Sequence, residues 1–197
     1  MQKTAHNPLD NLAGMRVILA SGSPRRRELL AMLGIGFEVM ALDGDESYPE
    51  SLPAEEVSEY LARKKAGWRE CAPGELMITA DTTVVLDGAV LGKPADADSA
   101  RAMLRALSGK THKVITGVAI RTADSLQSFS AKTLVEFDRL SDNEIDWYVE
   151  RFSPLDKAGA YGIQEWIGAA AVKSLTGSYY NVMGLPIHQL YRRLAAL

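Results

Sequence analysis

A chain of 197 residues with 47% hydrophobic and 24% charged residues has ordinary globular usage, which excludes a disordered or fibrous chain and suffices for one sizeable domain. The formal net charge of -3 excludes the global basic field of a non-specific nucleic-acid binder, although a small anionic ligand needs only a local cationic site. Cys71 is the single cysteine, so neither a disulfide framework nor a thiolate zinc site can be built within the chain, and a reducing cytoplasm is the expected compartment.

The stretch from Met1 to Gly14 carries His6, Asn7, Pro8, Asp10 and Asn11 where a signal peptide would need an apolar run. No later stretch approaches the roughly 20 apolar residues of a membrane span, so neither export nor membrane insertion is expected. Val17-Ile18-Leu19-Ala20 reads as a buried strand running into a turn at Ser21-Gly22. A helix follows, with Ser23 as N-cap, Pro24 at its first position, Leu29, Leu30 and Leu33 at helical spacing, and Gly34 closing it. A second helix is expected from near Pro53, with Val57, Tyr60, Leu61 and Trp68 as its apolar stripe and Lys65 at the stripe's edge. Leu76 to Ala80 reads as a strand leading into Asp81, which is then at the strand end or just within it. Val84-Val85-Leu86 and Ala89-Val90-Leu91 flank Asp87-Gly88 as a hairpin with a type I′ turn.

Asp96 or Asp98 caps a helix bearing Ala100, Met103, Leu104 and Leu107, ended by Gly109, and Val114 to Ile120 forms the next strand. Phe129, Ala131, Thr133, Val135 and Phe137 share one face of a further strand. Ser141 and Glu144 form a capping box for a helix through Tyr148 and Phe152, which Pro154 stops. Gly159, Gly162, Gly168 and Gly177 punctuate a stretch expected to be strand and loop, before Pro186 opens a last helix with Ile187, Leu190, Tyr191 and Leu194. The alternation indicates an α/β fold with a mixed sheet.

Several positions break local rules. Arg25, Arg26 and Arg27 occupy the first turn of a helix, where the dipole disfavours a cation by about 0.3 to 1 kcal/mol. Guanidinium groups beside free helical N–H groups suit a polyphosphate, and the alternative is three solvated arginines on an exposed helix. Asp81 sits between apolar runs, where a carboxylate is costly unless paired or metal-bound; it is either a turn residue or a site residue. Glu46, in an acidic loop with Asp43 and Asp45, is either simply solvated or a hard oxygen ligand for Mg²⁺. Lys93 lies in the rigid turn Gly92-Lys93-Pro94, and Asp156 to Gln164 is glycine-rich without matching the phosphate-loop or dinucleotide fingerprints. His6, His112 and His188 are scattered and receive no catalytic or ligand role.

Together, Ser21-Gly22-Ser23-Pro24-Arg25-Arg26, Ala80-Asp81-Thr82, Gly92-Lys93-Pro94, Lys157 to Gln164 and Gly177-Ser178-Tyr179-Tyr180-Asn181-Val182 closely resemble the Maf family of nucleotide pyrophosphatases. The resemblance runs from about Val17 to the last helix. It implies an elongated mixed β-sheet flanked by helices, with a nucleotide cleft between two lobes, and often a homodimer. The chain then divides into an extension over residues 1–14 and a single Maf-like α/β domain over 15–197.

Carried over, Asp81 resembles the family's proton acceptor for the attacking water, and Ser23, Arg25 and Arg26 its phosphate-binding run. Lys65 and Lys93 resemble its cationic contacts, with Lys64 adjoining the first. Glu46, together with Asp81, resembles its site for a divalent cation, Mg²⁺ or Mn²⁺. Arg26, with Arg25 as neighbouring candidate, Thr82 and Gln164 match the branch acting on dTTP and UTP, including base-modified pyrimidine nucleotides. The 7-methyl-GTP pyrophosphatase branch ranks second. The chain departs from the commonest pattern before Met15, at Thr83, and at Glu165-Trp166, the last next to the residue that would read the base. A rival of another class is a non-catalytic nucleotide-binding regulator of cell division, which would need no water-activating carboxylate.

Overall fold

The computed structural model describes residues 7–197; residues 1–6, His6 among them, lie outside the described residues. One mixed sheet runs in the order β2 (Glu38–Val39), β1 (Arg16–Leu19), β3 (Glu75–Leu86), β5 (Thr111–Arg121), β6 (Leu126–Phe137), β7 (Val172–Thr176), and β4 (Ala89–Leu91) also pairs with β3. β1 is parallel to β2 and β3; the other pairings are antiparallel. The helices are α1 (Pro24–Ala31), α2 (Val57–Ala66), α3 (Ala97–Leu107), α4 (Asp142–Phe152), α5 (Trp166–Ala170), α6 (Tyr179–Met183) and α7 (Ile187–Leu194).

Local chemistry sets the boundaries. Ser23 caps α1 by accepting from Arg26 N, Asp96 rather than Asp98 caps α3 by accepting from Ser99 N, and Ser141 with Glu144 forms a reciprocal capping box on α4. Asp87 and Gly88 both have positive φ, as a type I′ turn requires. Other expectations shift. The chain turns over residues 54–56 before α2 starts at Val57, and Trp68 lies beyond its end, against Gly44. The stretch read as strand and loop holds short helices before and after β7, because Ser178 caps α6 and Gly184 ends it.

The largest difference is β3, which is one unbroken strand through Asp81 rather than a strand followed by a separate hairpin. Period-two alternation sorts its side chains. Leu76, Ile78 and Ala80 enter one core with α1 and α7, while Val84 and Leu86 enter a second with α3, α4 and α5. Thr82 falls on that same face, at the seam between the two cores. Met77, on the opposite face, packs under α2 with Ala62, Ala66 and Ala119. Leu9 and Leu12, ahead of β1, are buried in the first core, and Asn11 donates to the Leu194 carbonyl at 2.8 Å.

His112 belongs to the second core's packing. It makes edge contacts with Phe137 and Tyr161, and its Nε2 lies 2.7 Å from the Tyr161 hydroxyl. Burial pushes its pKa from 6.5 down to about 4. Unfolded chains protonate this imidazole below about pH 6.5 while the folded protein does not, so stability rises with pH across that window and is lost on acidification from 6.5 towards 4. Urea unfolding should show about 2.5 kcal/mol less stability at pH 4.5 than at pH 7 from this group. His112→Gln, which can still hydrogen-bond Tyr161, should flatten the slope in that window; an unchanged slope would assign the acid sensitivity elsewhere.

Candidate functional site

The sheet leaves a gap where the two cores meet. β5 occupies one edge of β3 along residues 77–85, so β1 and β4 must share the other edge. β1 covers that edge only at Glu75 to Ile78 and β4 only at Val84 to Leu86. The stretch between them has no strand partner on that side. β1 runs parallel to β3 and β4 antiparallel, so their C-terminal ends approach the gap from opposite directions. The loops Ser21-Gly22-Ser23 and Gly92-Lys93-Pro94 leave from those ends. Such a break in strand order is where open α/β sheets expose loops to ligands. Within β3, Asp81 and Thr82 are the residues that are not buried.

A cavity of about 610 Å³ opens there and reaches both faces of the sheet. Ser23, Arg25, Arg26, Glu46, Lys65, Asp81, Thr82, Lys93 and Gln164 all line it. Every site residue expected from the sequence is therefore brought to one place. Arg27 is exposed and does not line the cavity, so the arginine run divides between cavity and solvent.

On the α2 side, Lys65 Nζ lies 2.6 Å from Asp81 Oδ1 and 3.1 Å from Glu46 Oε1. The partners of Lys65 distinguish it from Lys64, which pairs with Asp45 on the surface. Asp45, held by Lys64 and Ser47, titrates far below the usual carboxylate range. The close approach of α2 depends on Gly117, the register partner of Asp81 in β5. A Cβ there would lie 2.3 Å from the Glu59 nitrogen and the Ser58 carbonyl. Small residues at the contact bring Lys65 down onto the carboxylate.

On the opposite face, the Arg26 guanidinium donates to the Gly184 carbonyl at 2.9 Å, to Thr82 Oγ1 at 3.1 Å and to Ser21 Oγ at 3.4 Å. Gly184 ends α6 at φ +119, a conformation that favours glycine and presents the carbonyl to Arg26. Thr82 Oγ1 is 3.0 Å from Thr116 Oγ1, which donates to the Asn181 carbonyl. Burial lowers the Arg26 pKa, with Asp81 opposing that effect, and a guanidinium so high in pKa stays charged. Its direct hydrogen-bond partners are neutral, so no carboxylate among the described residues is bonded to it and the guanidinium can still engage an anion in the cavity. Arg25 instead pairs with Asp156 at 2.9 Å.

Lys93 lines the cavity with no carboxylate in ion-pair range among the described residues, which leaves its charge available to a ligand. Gln164 is exposed on the far wall. In the linear sequence Lys157 is only one member of a glycine-rich stretch. It is buried, 2.7 Å from Asp156 and 3.1 Å from Glu165, and it lines the same cavity. A lysine inside a run of alanine and glycine was its only linear signal.

Two carboxylates, Glu46 and Asp81, converge on the point that the Lys65 ammonium occupies. No group of three or more His, Cys, Asp or Glu side chains able to hold a metal is present among the described residues. A hard cation such as Mg²⁺ typically takes one or two carboxylates and completes its octahedron with water and phosphate oxygens, so this donor set fits one that arrives with its substrate.

The family model described as Maf-like protein matches residues 16–197. A dTTP/UTP pyrophosphatase of Phocaeicola vulgatus is 56% identical over 192 residues, covering 96% of this chain and all of the relative. The dTTP/UTP pyrophosphatase of Bacteroides thetaiotaomicron is 55% identical over 192 residues with the same coverage. Among solved structures, a HAM1 protein from Coxiella burnetii shares 17% identity with a TM-score of 0.44, covering 64% of this chain and 74% of that one.

Proposed function

The chain belongs to the Maf family, and from that premise we propose that it hydrolyses the α,β phosphoanhydride of dTTP and UTP to the nucleoside monophosphate and pyrophosphate. The observation that carries this reading is the convergence of Asp81 with a cationic set on one cavity, across a seam that loops from both sides of the sheet enter. The relatives' names supply the substrates.

Phosphoryl-group hydrolysis needs an aligned water and neutralised charge far more than covalent help. In this reading Asp81 is the proton acceptor. Lys65 engages its Oδ1, which fixes the carboxylate and leaves Oδ2 for the water. As the water oxygen attacks the α-phosphorus, its proton passes to Asp81 and the bond to the bridging oxygen breaks, releasing pyrophosphate. Arg26, Arg25 and Lys93, with the α1 N-terminus at Ser23, neutralise the phosphate charge. Arg25 exchanges Asp156 for a phosphate oxygen as substrate enters. Glu46 and Asp81 would hold Mg²⁺ or Mn²⁺, which when bound supplies Lewis acidity and further charge neutralisation. Thr82, fixed by Arg26 and Thr116, and Gln164 on the far wall read the base.

A single domain over 15–197 after the extension over 1–14, a homodimer and a cytoplasmic location complete the proposal. No helix among the described residues is long and apolar enough to cross a membrane, and the net charge of -3 argues against nucleic acid as partner.

The test is a panel of unmodified and modified triphosphates, including 7-methyl-GTP, incubated with Mg²⁺ or Mn²⁺ and resolved by chromatography. Monophosphate and pyrophosphate from dTTP and UTP in preference to the rest is the expected result. Binding without pyrophosphate release would favour the non-catalytic regulator. Gln164→Ala should narrow the preference between bases by about tenfold, the worth of one good hydrogen bond, with little change in maximal turnover. An unchanged ranking of nucleotides would remove Gln164 from base reading.

A further inference from the structure

The segment carrying Gln164 is tied down by residues that play no part in the reaction described above. Glu165 N donates to the Gly162 carbonyl at 3.0 Å, closing a tight turn from Gly162 to Glu165 in which Gln164 is the third residue. One phenol holds both ends of that turn. Tyr148, fully buried on α4, accepts from Gly162 N at 3.1 Å and donates to Glu165 Oε2. Glu165 Oε1 takes an ion pair from buried Lys157 at 3.1 Å, and Lys157 also holds Asp156, the partner of Arg25. The Trp166 ring is stacked on Tyr148 with centroids 6.4 Å apart, which closes the turn's C-terminal side against α4.

We propose that Tyr148 and Glu165 are positioning residues for nucleotide selection: clamped by the phenol and by Lys157, the Gly162–Glu165 turn presents Gln164 to the base in one fixed pose. This rests on the reading of Gln164 as a base reader. The turn is short, and its two anchor points bracket the glutamine, so little freedom is left to the backbone that aims it. Burial, and then the hydrogen bond to Glu165, push the Tyr148 hydroxyl well above its ordinary pKa, so it remains a donor at neutral pH. The same carboxylate continues through Lys157 and Asp156 to Arg25. Asp156 keeps both Lys157 and Arg25 as partners whatever residue 165 carries, so neutralising Glu165 leaves the phosphate end its own ion pairs.

Two probes separate aiming from general damage. α,β-Methylene dTTP carries the base, whereas inorganic tripolyphosphate presents phosphate alone. Calorimetry on the full chain with Tyr148→Phe should show affinity for the nucleotide analogue falling about five- to tenfold, as for one lost hydrogen bond at each end of the turn, with tripolyphosphate unchanged within about twofold. Glu165→Gln should give the same split, and it serves alone if Tyr148→Phe proves unfolded by circular dichroism. The preference for dTTP over CTP in turnover should narrow in parallel. Equal weakening of both probes, or of neither, overturns the proposal, as does a wild type with no preference for the analogue over tripolyphosphate. A wild type that releases no pyrophosphate from any triphosphate would sink the hydrolase reading instead, and the two-probe comparison would still stand.

Discussion

Asp81→Asn is expected to lower pyrophosphate release by about 10²- to 10⁴-fold, the usual range for loss of a positioned base, while nucleotide affinity stays within a few-fold of wild type. The substitution keeps shape and an oxygen able to accept from Lys65, so the cavity wall should survive. It removes the one group of the Lys65 pair that can take a proton from water. Lys65 retains Glu46 at 3.1 Å, so the ammonium is not left stranded. Single-turnover release of pyrophosphate at saturating dTTP, alongside calorimetric affinity, separates the chemistry from binding. Wild-type turnover in this variant would refute Asp81 as the base and return the carboxylate to a purely structural pairing.

Gly117→Ala is expected to cost about 3 kcal/mol of stability and to lower turnover by about 10²-fold, although Gly117 touches no substrate. The added methyl would sit 2.3 Å from backbone atoms of Ser58 and Glu59, which are not flexible side-chain tips that can swing aside. α2 must withdraw from the sheet. Lys65, on that helix, then loses its 2.6 Å contact with Asp81. Urea unfolding measures the first effect and steady-state turnover at a temperature where the variant is folded measures the second. A stable variant with normal turnover would show that the helix reaches Asp81 by another route than close backbone contact.

These two residues also show how far the sequence can be read. Asp81 was conspicuous because a carboxylate between apolar runs demands a partner, and capping residues such as Ser23, Asp96 and Ser141 marked helix starts because they act on backbone groups within three residues. The alternation from Phe129 to Phe137 named the buried face of β6 for the same local reason. The continuity of β3 was hidden because Asp81, Thr82 and Thr83 interrupt its apolar run. The backbone of all three pairs with β5, and the side chains of Asp81 and Thr82 are answered by Lys65 and by Arg26 with Thr116, while the Thr83 hydroxyl is buried without a partner among the described residues. Those partners lie 16 to 56 residues away. The Tyr148 clamp was equally invisible, since α4 carries no sign of which distant turn its phenol will hold. α6, five residues long, offered too little periodicity to register among glycines.

The strands β3, β5 and β6 run for 12, 11 and 12 residues through both cores without a break. Continuous hydrogen-bonded strand backbone therefore links the half of the molecule that holds Arg26 to the half that holds Gln164. The spacing between phosphate clamp and base reader is then set as on a ruler, at about 3.3 Å per residue of strand, and not by a hinged lid. In the proposed reading a nucleotide one phosphate too short is refused because the sheet will not contract to meet it.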